Sequence, residues 1–287
     1  MSVNVVVGYD GSPGSNAAID VGALLFPGAH AWITHLWSPP FASDTMRNRL
    51  LARARDVTEL TEMVENEGMR EAERLVNRGA TLARAAGWDA TPLAKQSWGG
   101  EGLRVAQIAE EVDADLILIG SRGLRGTAAV IGSVSDTIVH YSTRPVVVVP
   151  QPMVSSEHAA LPDGPVVVGR DGSRGAETAF EMATRLFPDR SLLTVYVDDD
   201  LTSPITASAT AGGEEIVRVH PGRGFPGRGA ADALCAVAEE RNAAVVVVGS
   251  RGRSAAREIL LGSVAMATLH HCHRPVLVVP TARPVGR

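Results

Sequence analysis

The sequence predicts an α/β fold built twice within one chain of 287 residues, each copy a doubly wound, mostly parallel sheet. Three observations lead there. Four landmarks recur in the same order. Val5-Val6-Val7-Gly8-Tyr9-Asp10-Gly11-Ser12 returns as Val166-Val167-Val168-Gly169-Arg170-Asp171-Gly172-Ser173, and Gly120-Ser121-Arg122-Gly123 returns as Gly249-Ser250-Arg251-Gly252. Gly132-Ser133-Val134 returns as Gly262-Ser263-Val264, and the run from Arg144-Pro145-Val146 to Pro150 returns from Arg274-Pro275-Val276 to Pro280. Self-similarity on this scale marks a repeated structural unit. Within each copy, short apolar runs rich in β-branched residues alternate with longer amphipathic or charged segments, the pattern of parallel strands joined by crossover helices. The valine runs carry no polar alternation, as strands buried on both faces require.

In order along the first copy, strands are expected at 3–9, 31–37, 90–95, 115–120 and 145–149. The first helix starts at Ser12-Pro13, where serine can cap and proline suits the first turn, and it carries Ala17, Ala18, Val21, Leu24 and Leu25. A long charged helix is expected over 45–86. Gln151 to Gly164 mixes proline, serine, histidine and alanine without a period and reads as a linker, which divides the chain into domains at 1–150 and 165–287. Asp10 and Asp171 lie 161 positions apart but Gly120 and Gly249 only 129, so the second copy is 32 residues shorter between these landmarks. The loss falls after Leu192 to Val197, where Asp198-Asp199-Asp200 and a Ser/Thr/Ala/Gly-rich stretch to Gly213 stand in place of the long helix. The second domain is therefore expected to lack its second helix and to expose an apolar sheet face, a feature that often marks an interface.

Composition narrows the chemistry. A formal net charge of -5 offers no overall positive field for nucleic acid, so none is expected as a partner. The longest unbroken apolar runs, such as Val146 to Val149 and Ala243 to Val248, fall far short of the roughly 20 residues of a membrane-spanning helix, so no membrane partner is expected. Met1-Ser2-Val3-Asn4 leads directly into a strand with no basic and apolar leader, and cytoplasmic residence is the expectation. The two cysteines, Cys235 and Cys272, form no CxxC pair, which leaves no disulfide framework or four-thiol zinc site and fits a reducing compartment. Lys95 is the only lysine and lies outside any GK[ST] pattern, which excludes a P-loop NTPase. Phosphate bound here must be met by backbone amides, helix N-termini, arginine or a metal ion.

A strand, then G-x-x-G, then G-S opening a helix is an arrangement for anions. Glycine lets bare backbone approach a polyphosphate, and the first amides of a helix carry about half a positive charge. Each such contact contributes about 0.3 to 1 kcal/mol, up to about 2 when partly buried, so several must act together. Alone, the motif describes a tight turn and a helix cap equally well. Its recurrence after a strand in both copies favours a nucleotide, because each copy also carries Asp-Gly-Ser at the end of its first strand, where an open parallel sheet places its ligand crevice. Asp10 and Asp171 are candidate acceptors for ribose or adenine, with an Asx-turn or helix cap as the plainer role.

The Asp-Gly-Ser after the first strand, the G-x2-G-x9-G-S loop and the closing Arg-Pro-Val-Val-Val-Val-Pro resemble the universal stress protein family over nearly the whole chain. The resemblance implies two flavodoxin-like domains, five strands each in order 3-2-1-4-5, with ATP at the carboxyl ends of the strands, alone or with Mg2+. It implies pairing through the last strand, with the two repeats paired within the chain and a homodimer beyond it. The cofactor-binding set it implies is Gly8, Asp10, Leu36, Gly120, Arg122, Gly123, Gly132, Ser133 and Val134, and in the second copy Gly169, Asp171, Tyr196, Gly249, Arg251, Gly252, Gly262, Ser263 and Val264. The aspartates and the second strand would contact the adenosine part, and the glycine-serine landmarks the phosphates.

Two departures bear on this set. Nine residues separate Gly252 from Gly262, as the family pattern demands, but eight separate Gly123 from Gly132, with Gly126 available to help the shorter loop close. Asp198 to Asp200 follow the second-copy strand expected beside the adenine, as a divalent-ion site or a solvated loop. Three other motifs read more plainly. Gly222-Arg223-Gly224-Phe225-Pro226-Gly227 spells G-x-G-x-x-G, but the next strand ends in Gly249-Ser250 rather than a ribose-binding acid, which argues against a dinucleotide site and leaves Arg223 and Arg228 as candidates to reach phosphate. His270-His271-Cys272-His273 aligns with His140-Tyr141-Ser142-Thr143 and reads as a helix end rather than zinc ligands. Trp37 and Trp98 read as packing residues, with base stacking as the alternative.

The function expected is that of an ATP-binding module acting as a nucleotide-dependent regulator in the stress response. No catalytic residue is assigned. HxGH and SGGxDS motifs are absent, and no nucleophile, base and orienter repeat between the copies. Slow ATP hydrolysis and an interaction protein with vestigial loops are the alternatives.

Overall fold

The computed structural model of the chain describes residues 2–38, 54–121, 132–197, 208–211, 214–220, 227–252 and 261–281. The first half runs β1 (Asn4–Gly8), α1 (Pro13–Leu25), β2 (His30–Trp37), α2 (Val57–Ala85), β3 (Asp89–Gln96), α3 (Glu101–Glu111), β4 (Leu116–Gly120), α4 (Ser133–Tyr141) and β5 (Val146–Val149). After α5 (Ser155–Ala159) the second half runs β6 (Val166–Arg170), α6 (Arg174–Leu186), β7 (Leu192–Val197), β8 (Ser208–Ala211), β9 (Glu214–Val219), α7 (Arg228–Glu240), β10 (Val245–Gly249), α8 (Ser263–His271) and β11 (Val276–Val279).

These eleven strands form one sheet in the order β3-β2-β1-β4-β5-β11-β10-β6-β7-β9-β8. Each half shows the 3-2-1-4-5 order of a doubly wound, flavodoxin-like unit. The second adds β8, antiparallel to β9 at the sheet edge, which the sequence reading does not contain. The valine runs do what their lack of alternation requires. Val5 and Val7 pack on the α1/α2 face of the sheet and Val6 on the α3/α4 face, all fully buried.

Three elements differ from expectation. Within the described residues α2 begins at Val57, where the Asp56 side chain accepts from the Glu59 amide at 2.8 Å and so ends the helix. The expected stretch 45–53 lies outside the described residues. The segment read as a linker holds α5 and the fully buried Leu161, which belongs to the α1/α2-side core. Residues 198–207, where the second helix is expected to be absent, lie outside the described residues, and the sheet face beside Tyr196 is not bare. Arg170 lies across it, its guanidinium 4.6 Å from the Phe180 ring and 5.7 Å from that of Tyr196, and it pairs with Glu177. Arg218 covers Tyr196 at 5.7 Å. These cations lie over aromatic rings on the sheet face that α2 packs against in the first half.

The halves meet along a self-matching seam. β5 and β11 pair antiparallel, Val147 opposite Leu277. On the α1/α2 face Phe26 and Phe187, each the residue that ends its helix, stack at 5.2 Å between ring centroids. Arg190 donates from the second half to the Leu24 carbonyl at 3.1 Å. No helix among the described residues is long and apolar enough to cross a membrane.

Candidate functional site

The order of the first-half strands reverses between β1 and β4, so the chain leaves them towards opposite faces and a crevice opens between. There the structure has a cleft of about 190 Å³. Its apolar walls are Leu36 from β2, Val105 from α3, Ile119 from β4, and Val134 and Ile138 from α4. Its polar groups include Asp10, Ser12, Thr34, His35, Glu101 and Ser135.

Local sequence explains this placement. After β1 the Asp10 carboxylate accepts from the Ser12 amide at 3.0 Å, closing an Asx-turn over Gly11, whose φ of 74° suits glycine. The Ser12 hydroxyl then caps α1 by accepting from the Ser15 amide at 3.2 Å. His35 Nδ1 lies 2.9 Å from the Tyr9 carbonyl oxygen, which can only accept, so the ring donates from Nδ1 and a neutral ring keeps Nε2 as an acceptor. The Tyr9 hydroxyl donates to Asn16 Oδ1 at 2.9 Å, and burial raises its pKa above 10.0 against the opposing pull of Arg78.

The other pole of the cleft is the start of α4. Gly132 is its N-cap residue and supplies no side chain, so no side-chain cap engages the first-turn amides, and Gly132, Val134 and Ser135 line the cleft. The end of a helix dipole therefore faces the same space as two carboxylates, Asp10 and Glu101. An elongated guest with a hydroxyl-bearing middle and an anionic end matches that arrangement.

Of the sequence-derived set, Gly8, Asp10, Leu36, Gly120, Gly132 and Val134 meet in this cleft, while Ser133 heads α4 without lining it. Arg122, Gly123 and Gly126 lie outside the described residues, as do Asp198 to Asp200 and Arg223. Gly120 also has a structural reason. A methyl there would collide with the Gly14 carbonyl in the first turn of α1, and one on Gly249 would lie 2.6 Å from the Gly175 carbonyl. Sequence reading missed His35, Glu101 and Ser135, although His35 adjoins Leu36 and Glu101 follows the Gly99-Gly100 pair that leads into α3.

The second half repeats the local devices. Asp171 accepts from the Ser173 amide at 2.9 Å, Ser173 caps α6 through the Ala176 amide at 3.2 Å, and Gly262 opens α8 without a side-chain cap. Around them it differs. Gly8 is opposite Thr34 and Gly169 opposite Val195, so Leu36 corresponds to Val197, and Tyr196 corresponds to His35. Tyr196 therefore faces the Arg170 side of the sheet, one position away from the adenosine role read for it. Gly227, at φ 82°, backs onto Ser263, where an added methyl would lie 2.6 Å from the hydroxyl. Gly252 packs against Asp171, with a methyl there 2.9 Å from Oδ2. Arg251 leads into this turn, Val264 packs on the α7/α8 core, and Arg228 pairs with Asp232 at 3.6 Å. Trp37 is buried and Trp98 is 79% exposed. Among the described residues no three His, Cys, Asp or Glu side chains are grouped to hold a metal ion.

The family model described as the universal stress protein family matches residues 1–150 and 209–280. The chain belongs to that family. This universal stress protein is 32% identical over 190 residues to one from Mycolicibacterium smegmatis, covering 58% of this chain and 62% of that one. It is 31% identical over 188 residues to one from Mycobacterium tuberculosis strain H37Rv, with the same shares. The match thus spans 62% of the length of these curated relatives. Among solved structures, a universal stress protein from Archaeoglobus fulgidus aligns over 98% of this chain and 100% of its own with a TM-score of 0.65 and 21% identity. A Pseudomonas aeruginosa PAO1 protein of unknown function aligns over 98% and 93% with a TM-score of 0.56 and 11% identity. Both show the shared fold.

Proposed function

We propose that this universal stress protein binds an adenine nucleotide, ATP foremost, in the first-half cleft, and that occupancy controls its partners as part of a cytoplasmic stress response. The observation that carries the reading is the meeting of Gly8, Asp10 and Leu36 with the uncapped start of α4 around one space. Leu36, Val105 and Ile119 offer apolar surface to a base. Asp10 keeps one oxygen on the Ser12 amide, which holds the carboxylate in place as an acceptor for ribose hydroxyls. The first turn of α4 offers amides and a positive dipole end to phosphate, several weak contacts acting together. Mg2+ would arrive on the phosphates.

The test is direct. Freshly purified protein is denatured and the released small molecules separated, with an adenine nucleotide expected. Calorimetry then compares ATP binding to the wild type and to Asp10→Asn, which keeps the Oδ1 acceptor for Ser12 but removes the charge. A charged acceptor contributes about 1.5 to 3 kcal/mol against about 1 for a neutral one, so affinity should fall about tenfold. No released nucleotide and no calorimetric binding of ATP would sink the proposal. Equal binding by the variant would remove Asp10 from the site.

A further inference from the structure

The chain's two cysteines stand 37 positions apart in sequence, at Cys235 on α7 and Cys272 at the end of α8, yet they meet in the fold. Both thiols are free, Cys272 is buried in the α7/α8 core, and Cys235 packs against the same core while keeping some exposure. Gly227, the residue before α7, backs onto Ser263, the first residue of α8, so the two helices start side by side. Cys235 and Cys272 lie eight and nine residues further along them, with the two thiols in contact and the Arg274 amide beside Cys272.

The first half shows what this contact looks like without cysteines. Asp113 and Asn242 are the matching positive-φ residues that follow α3 and α7, which aligns Cys235 with Ala106. Ser133 and Ser263 open α4 and α8, which aligns Cys272 with Ser142. Ser142 Oγ accepts from the Arg144 amide at 3.0 Å, the same cap that Cys272 Sγ makes with Arg274. The repeat thus supports a small residue at one position and a capping side chain at the other. In the second half both are sulfur, and they face each other.

We propose that Cys235 and Cys272 form a reversible dithiol-disulfide site, oxidised by a hydroperoxide, that ties α7 to the end of α8. One sulfur attacks a peroxide oxygen, the O–O bond breaks, and a sulfenic acid and water form. The other sulfur displaces the hydroxyl as a second water, giving one S–S bond. Two thiol protons and two electrons leave the protein, and one hydrogen peroxide becomes two waters. A dithiol reductant reverses it by exchange through a mixed disulfide. Cys235 provides the exposed edge at which oxidant and reductant arrive. Contact with Cys272 and then burial raise the pKa of the Cys235 thiol. The link would fasten the C-terminal end of the helix whose N-terminus is Ser263.

The experiment treats the dilute full-length protein with hydrogen peroxide, quenches it, counts thiols in denaturant and maps peptides without reductant. Oxidation of Met69, 47% exposed, reports that oxidant was present. The expected result is loss of both thiols in step, a peptide joining Cys235 to Cys272, a protein that stays monomeric and, apart from oxygens added to methionine, is lighter by two hydrogens, and recovery of the thiols with dithiothreitol. Cys235→Ala and Cys272→Ser install the residues that the first half already carries at these positions, so both variants should fold. Cys235→Ala should leave Cys272 with no partner and take it on to sulfinic acid. Two thiols still free after Met69 is oxidised, or links only between separate chains, would overturn the proposal.

Discussion

Gly120 shows how a single residue can serve two masters. It lines the cleft, yet its missing side chain is what lets the end of β4 rest on the Gly14 backbone. Gly120→Ala should therefore destabilise the protein by about 1 to 3 kcal/mol, as overpacking does, and urea denaturation without nucleotide should show it. A loss of ATP binding in that variant would be ambiguous, which is why Asp10→Asn is the better probe. Tyr9 gives a pH effect at the same scale. Its folded pKa is raised by burial above the unfolded 10.0, so its contribution is fully present below that pH and is lost as pH rises through the folded value. Stability of the wild type should fall more steeply in that alkaline range than that of Tyr9→Phe, measured by urea midpoints at each pH. The glycines, aspartates and capping serines were legible in the sequence because backbone geometry dictates their types. The register that sets Val197 rather than Tyr196 in the place of Leu36 was not legible, because Leu192 to Val197 has no clean alternation to fix it.

At the scale of elements, caps and coverings decide where helices stop and what shields the sheet. Ser12→Ala and Ser173→Ala should each cost about 1 kcal/mol, the usual loss for an N-cap serine, seen as matching shifts in urea midpoint. The spacing of landmarks counts a shorter second half, but what lies over its sheet could not be read from that count. Arg170 stands where the first half has Tyr9, and only the folded sheet brings it over Phe180 and Tyr196 and beside Glu177. Arg170→Ala should expose that face and raise binding of a hydrophobic dye, whereas an equivalent signal from the wild type would mean the covering is ineffective. The strand β8 was hidden because Ser208-Ala209-Thr210-Ala211 alternates over only four small residues inside a Ser/Thr/Ala/Gly-rich stretch, too short and too weakly apolar to announce a strand. Leu161 was hidden by its company, a lone leucine among turn-forming residues. Leu161→Ala should cost about 2 to 5 kcal/mol despite lying in a connecting segment.

For the whole molecule, one α1/α2-side core runs from Val5 and Val76 through Val147, Leu161 and Leu277 to Val168 and Ala183, so both halves share it. Unfolding should accordingly be a single transition. All four tryptophans, at 32, 37, 88 and 98, sit in the first half, so their fluorescence follows that half while circular dichroism follows the whole. Coincident urea curves are expected, and a dichroism phase silent in fluorescence would show the halves melting apart. The seam has a further consequence. Because β5 already has β11 as its neighbour, the hydrogen-bonding margin that a lone unit could lend to another molecule is spent inside this one. Among the described residues the rims are β8 at one side and β3, which contains Pro92, at the other. A second copy seeking the β5 border would first have to break its pairing with β11.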